Sequence, residues 1–216
     1  VLLKQARELV ANTGHEEISL TSLSTADYSC IKPLITSLVQ EFQGEGVGVS
    51  LPSLRVDAFS VDLAKEIQKV RKTGLTFAPE AGTQRLRDVI NKGVTEEDLM
   101  EAISGAFAAG WSSIKLYFMI GLPTETKEDL EGIADLAYKV LNRGREILKA
   151  QKNKRNITVT VSVSSFVPKP HTPFQWVPQD PLEVLKEKQL YLKSLLKDRR
   201  ITYNYHEGEL SFLEAV

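Results

Sequence analysis

Ile114-Lys115-Leu116-Tyr117-Phe118-Met119-Ile120-Gly121-Leu122-Pro123-Thr124-Glu125-Thr126 is the stretch whose reading decides the fold. It opens as an apolar run of strand length and reads as a buried strand, which Gly121 and Pro123 end. Thr126, three residues ahead of Asp129, then opens an acidic helix with an approximate capping box. A turn at the carboxyl end of a parallel strand is where barrel enzymes place their ligands.

Working outward, strand-like and helix-like segments alternate. Upstream, helical spacing covers residues 1–12 and stops near Gly14, and Glu17–Leu23 reads as a short strand. Residues 29–42 read as a helix with Pro33 in its first turn. Val47–Val56 reads as a strand, Ser60–Lys72 as a helix and Leu75–Ala78 as a strand. A short helix follows over Gln84–Asn91, and Thr95 with Asp98 caps another that runs to about Ala109. Downstream of the opening stretch, a long helix reaches about residue 150, and Ile157–Val163 is a β-branched strand. A Pro-rich loop spans Val167–Pro181, Asp180-Pro181 opens a helix to about Asp198, and Ile201–Tyr205 reads as a last strand. Such alternation means βαβ units and a parallel sheet. With 216 residues, the chain is short for a closed eight-stranded barrel, which takes roughly 250. An open, partial barrel or a doubly wound sheet suits it, as a single domain over residues 1–216.

Composition excludes several classes. Hydrophobic content of 42% and charged content of 25% are those of an ordinary globular domain. The net charge of −1 recruits neither nucleic acid nor an anionic membrane. No apolar run is long enough to span a bilayer and no signal peptide is present, so a cytoplasmic location is expected. Position 1 is Val and a helix is already under way there, so the chain reads as an internal piece of a longer protein. Cys30 is the only cysteine. It permits no disulfide and no multi-cysteine metal site, and it reads as a buried, inert thiol. No nucleophile elbow, Lys-Ser/Thr phosphate loop or His-x-x-x-His spacing exists, so hydrolase, nucleotidase and zinc readings lack residues.

The candidate site residues lie at strand ends. Ser22, Leu23 and Ser24, in a hydroxylated run, offer backbone amides and hydroxyls, or form a polar turn. Arg55 can bind a carboxylate through two parallel hydrogen bonds, or pair with a nearby acid. Glu80, between Pro79 and Gly82, can accept ribose hydroxyls, or cap the helix that starts near Thr83. Gly121 lets backbone approach a ligand. Glu125 lies near a helix start, where negative charge is favourable in any case. Backbone groups just after the Ile157–Val163 strand can pair with an adenine edge, with Phe166 or Val167 against its face. Lys115 either points inward and needs a partner or snorkels at the strand's start. His171 stands among prolines without a companion ligand, so no metal is expected on it.

Taken together, Glu17–Tyr28, Pro79–Lys92, Lys115–Thr126 and Ser164–Trp176 resemble blocks of the radical S-adenosylmethionine (SAM) superfamily, in the same order. More narrowly, they are similar to a subgroup of uncharacterised Fe–S oxidoreductases that often carry an N-terminal cobalamin-binding-like domain, with the methylthiotransferases as more distant relatives. The resemblance implies a partial (β/α) barrel of TIM-barrel type. It also implies a [4Fe–4S] cluster on a Cys-x₃-Cys-x₂-Cys motif after the first strand, and SAM cleaved to a 5′-deoxyadenosyl radical that abstracts hydrogen from a substrate. By position, Ser22, Leu23 and Ser24 match the segment that meets the SAM amino group. Arg55 matches a place near the methionine carboxylate, and Glu80 one near the ribose. Gly121, Glu125, Phe166 and Val167 match segments by the adenine. The cysteine motif and the first strand are absent, so the chain is expected to hold the SAM-side wall of such an enzyme and to be inactive alone, with cobalamin conceivable in the parent. Two other readings stay open: a methylthiotransferase-like enzyme that modifies RNA or protein, and a degenerate barrel that serves as an interaction module. The sheet edge left by the missing strand invites an edge-to-edge dimer.

Overall fold

The structure, a computed structural model, describes residues 1–21, 28–50, 75–152 and 155–215. In chain order the elements are α1 (Leu2–Thr13), β1 (Glu17–Ser19), α2 (Ile31–Phe42), β2 (Gly48–Ser50), β3 (Leu75–Glu80), α3 (Gln84–Val89) and α4 (Glu96–Ala108). They continue with β4 (Ser113–Ile120), α5 (Lys127–Ala150), β5 (Thr158–Ser165), α6 (Leu182–Leu195), β6 (Ile201–Tyr205) and α7 (Gly208–Ala215). Ser22, Leu23, Ser24 and Arg55 lie outside the described residues, as do the expected helix Ser60–Lys72 and the ends of the strands expected to reach Leu23 and Val56.

Every strand pair is parallel. β1 pairs with β2, and a second sheet runs β3-β4-β5-β6. This is the expected open α/β arrangement; among the described residues the strands close no barrel. The period-two pattern of β4 explains its place at the centre. Ile114, Leu116, Phe118 and Ile120 are at most 1% exposed and share one face. Val159, Val161 and Val163 of β5 continue that face. Leu99, Ile103 and Phe107 of α4 and Ile133, Ala137 and Val140 of α5 pack in the same apolar cluster. That cluster also takes in Ile18, Val49 and the α2 face of Ile35, Leu38 and Phe42, so one core runs beneath both sheets.

Three details differ from expectation. β3 continues through Pro79 to Glu80. Proline is tolerated there because, among the described residues, the strand is the outermost of its sheet and its register shifts between Phe77 and Glu80. Cys30 is exposed rather than buried; it stands at the N-cap of α2, ahead of the apolar stripe that starts with Ile31. Helix α7 was not expected. Its Leu210, Phe212 and Leu213 face outward, so no apolar stripe announces it. No described helix is long and apolar enough to cross a membrane.

Candidate binding site at the strand tips

The carboxyl ends of β3, β4 and β5 converge. Ala81 and Leu86 after β3, Leu122 after β4 and Phe166 after β5 form a separate buried cluster, with Met119, Phe174 and Val177 packed against it. Phe166 meets Phe174 edge to face, ring centroids 6.3 Å apart. Thus Glu80, Gly121, Phe166 and Val167, expected at strand ends, are brought to one edge of one sheet.

The β3 turn is held by close backbone contact. Glu80 adopts a left-handed backbone, φ 67°, which a non-glycine residue rarely does. Its carboxylate accepts from Lys92 Nζ at 3.1 Å, so it does not cap α3. That role falls to Thr83, whose hydroxyl accepts from the Leu86 N–H. Gly82 presses on α5: a Cβ there would lie 2.2 Å from the Asp129 carbonyl oxygen and 2.3 Å from the Ile133 nitrogen. Asp129, 2% exposed, gathers the Thr83 hydroxyl, the Arg85 guanidinium and the Thr126 N–H. Burial pushes its carboxyl up, but these hydrogen bonds outweigh burial and hold it below its ordinary value. Arg85 also donates to the Thr124 carbonyl at 2.9 Å, so this network staples the β3 turn to the β4 turn. Arg87, 1% exposed, donates to the Ala81 carbonyl at 2.9 Å and to Gln84, and its Nε has no partner. Burial lowers its pKa.

The β4 turn is held by charge. Gly121 has φ 75°, and its N–H is shared by both Glu125 oxygens at 3.1 Å each. Glu125 is 2% exposed at its side chain and takes Lys188 Nζ at 2.7 Å; the same ammonium reaches Asp180 Oδ2 at 2.6 Å. Burial raises the Glu125 carboxyl, and Lys188 and the Gly121 N–H only partly offset it. Burial works to lower Lys188, but hydrogen bonds to Asp180 and Glu125 leave it above its ordinary value. The Glu125 carboxylate is therefore taken up within the protein, where it fixes the Gly121 backbone.

The β5 turn is where hydrogen-bonding capacity is left over. β5 extends two residues beyond expectation, to Ser165. The Phe166 N–H donates to the Ile120 carbonyl at 2.8 Å, and Gln179 donates to the Phe166 carbonyl at 2.9 Å. Phe166 therefore has its backbone satisfied. Val167 is half-buried, and among the described residues nothing hydrogen-bonds its backbone. His171 is exposed, its N–H bonded to Gln175, and among the described residues no cluster of metal-ligating side chains exists.

Lys188, Asp180, Asp129, Arg85 and Arg87 were not anticipated at the site. Lys188 had a signal: it sits on the same face of α6 as Leu185 and Leu192, both fully buried, where a lysine needs a partner.

A parallel α/β fold whose strand tips converge on one apolar cluster, with an open backbone at Val167 beside it, is the arrangement in which such folds bind ligands. Residues 1–137 match the radical SAM superfamily. The chain belongs to that superfamily. It is 38% identical over 204 residues to an uncharacterised protein of Methanocaldococcus jannaschii, covering 94% of this chain and 41% of that protein. It is 30% identical over 97 residues to an uncharacterised methyltransferase of Pyrococcus horikoshii, covering 44% of this chain and 21% of that protein. The chain therefore spans well under half the length of these curated relatives. The fold resembles the Elp3 of Methanocaldococcus infernus (TM-score 0.55, 13% identity, 99% of this chain and 57% of that one). It also resembles Streptococcus suis SuiB solved with S-adenosylmethionine bound (TM-score 0.59, 10% identity, 94% and 42%). The comparisons lend no support to cobalamin.

Proposed function

We propose that the tips of β3, β4 and β5 hold the adenosine half of SAM. The observation that carries this is the open Val167 backbone beside the apolar cluster of Ala81, Leu122 and Phe166. Adenine fits there on two counts: its face needs apolar contact and its edge needs a backbone partner. Gly121 brings backbone close on one side. Glu80, already on Lys92, keeps acceptor capacity for a ribose hydroxyl. Ser22, Leu23, Ser24 and Arg55 are the proposed contacts for the methionine half.

The iron–sulfur side is different. A [4Fe–4S] cluster needs several thiolates, and the 216 residues hold one cysteine, Cys30. This stretch does not fit the cluster, whose ligands must come from elsewhere for the reaction to occur. When SAM is bound beside such a cluster, it supplies the radical that abstracts hydrogen from a substrate. The present residues orient the adenosine and exclude water from it. Retention of radiolabelled SAM by the full chain tests this. Saturable retention, weakened by Leu122→Asp, is expected. Its absence would favour the reading as a non-catalytic barrel.

A second reading is a methyl or methylthio transfer to RNA or protein, favoured by one observation, the relative described as a methyltransferase. It predicts a transferred label in product rather than deoxyadenosine alone. Association through β1 is a proposal of the same kind, since β1 pairs on one side only among the described residues. Light scattering is expected to show a mass that doubles with concentration, and a constant monomeric mass would count against it.

A further inference from the structure

Parallel sheets are ordinarily apolar on both faces because both are packed. Here one face of the β3-β6 sheet is packed by helices and the other is polar. Thr76, Lys115, Thr160 and Thr202 stand side by side across the four strands, and Tyr117, Ser162 and Asn204 form the next rung towards the tips. Below the tips, Lys115 is the one charged side chain on this face among the described residues. It is half-buried, and its ammonium lies 4.7 Å from the centroid of the Tyr117 ring. Among the described residues no carboxylate pairs with it. A tyrosine face attracts the cation without neutralising it, and hydroxyls cannot neutralise it either.

We infer that this polar face is a binding wall for an anionic substrate, with Lys115 as the group that receives its carboxylate or phosphate. Thr160, half-buried and directly beside Lys115 on β5, supplies a hydroxyl donor to the same anion, while Ser162 beside Tyr117 is itself buried. The ammonium reaches the level of Tyr117, three residues below Ile120. At about 3.3 Å per residue this is roughly 10 Å beneath the strand tips. The substrate is therefore a molecule whose anionic end lies roughly that far from the carbon presented at the tips. This deepens the SAM-wall reading and rests on it for the meaning of the tips, but not for the anion site itself.

The experiment titrates the full chain, without SAM, with sodium acetate and separately with inorganic phosphate at constant ionic strength. The ¹³C signals of labelled tyrosine rings are followed, with Tyr117 assigned through Tyr117→Phe. A saturable Tyr117 shift is expected with at least one anion, and the tighter one identifies the substrate's group. Loss of a charge-assisted hydrogen bond predicts binding weaker by about tenfold or more in Lys115→Met. Lys115→Arg should retain it, and Lys139→Met, which removes an ammonium paired with Glu96 on α4, should leave it unchanged. If Lys115→Met does not fold, Lys115→Gln takes its place. No saturable shift with either anion, or an unchanged response in the charge-free variant, overturns the inference. So does a Lys115-dependent Tyr117 shift on adding SAM itself, since the anion would then be the cofactor's own carboxylate. SAM binding at Gly121 and Val167 is scored separately, so either reading can fail alone.

Discussion

The turns after β3 and β4 stand side by side at one sheet edge and are fixed by opposite means. The β3 turn is locked first by shape, Gly82 lying against the backbone of α5 with no room for a methyl group, and the Asp129 network adds to that contact. The β4 turn is locked by charge: Gly121 is held by a buried Glu125, itself held by Lys188 and Asp180. A steric lock is indifferent to salt and pH, whereas a buried ionic lock responds to both protonation and the loss of one partner. The difference explains why the β3 turn needs a glycine without positive φ, while the β4 turn needs a glycine with one.

The largest effect should come from Gly82→Ala. A Cβ meeting two backbone atoms cannot be relieved by a side-chain rotation. A loss of about 4 kcal/mol or more, at the upper end for overpacking, is expected in urea denaturation. A loss under about 1 kcal/mol would mean that the two backbones are not in contact. Next comes Lys188→Met, which strands Glu125 in the interior. Roughly 2–4 kcal/mol should be lost near neutral pH, with part of it regained in mild acid as Glu125 takes up a proton. A smaller effect, about 1–2 kcal/mol, is expected for Gly121→Ala, because φ 75° is costly for alanine and a Cβ would lie 3.1 Å from Asp180 Oδ2.

The comparison sharpens in the pH dependence of the wild-type chain. The Glu125 carboxyl is raised above its ordinary 4.5. The native state therefore holds this proton more tightly than the unfolded state, and the group's contribution falls as pH rises from 4.5 through the native value. Asp129 is lowered below its ordinary 3.8. Its contribution is complete above 3.8 and is lost as pH falls through the native value. Glu125→Gln should flatten the slope on the upper side of 4.5, and Asp129→Asn the slope below 3.8. Identical pH profiles for the two variants would break the distinction.

Much of the strand-tip edge was legible because it is local. The alternation in Ile114–Ile120, the break at Gly121 and the Thr95 and Thr126 caps all depend on neighbours within a few residues. The β5 tip was read two residues early because Ser164 and Ser165 look like loop. In the fold they keep pairing, opposite Met119 and Ile120. Pro79 was read as a stop for the same reason, although a register shift against β4 absorbs it. What was not legible is long-range. The Lys188–Glu125 pair joins residues 63 apart, and the Arg85–Asp129 pair residues 44 apart; no periodicity marks either. Glu125 was legible as a conspicuous acid at a turn, but its direction, inward to Gly121 rather than outward, depends on where α6 packs.

The account stands on the tips of β3, β4 and β5 forming one adenosine-binding surface. The direct measurement is a SAM titration of the ¹⁵N-labelled full chain, read at assigned backbone amides. Saturable shifts concentrated at Ala81, Gly121, Leu122, Phe166 and Val167 are predicted. Shifts confined instead to the apolar groove of about 370 Å³ along β1, which Leu2, Ala6, Leu9 and Ile18 help line, or none at any concentration, would contradict it.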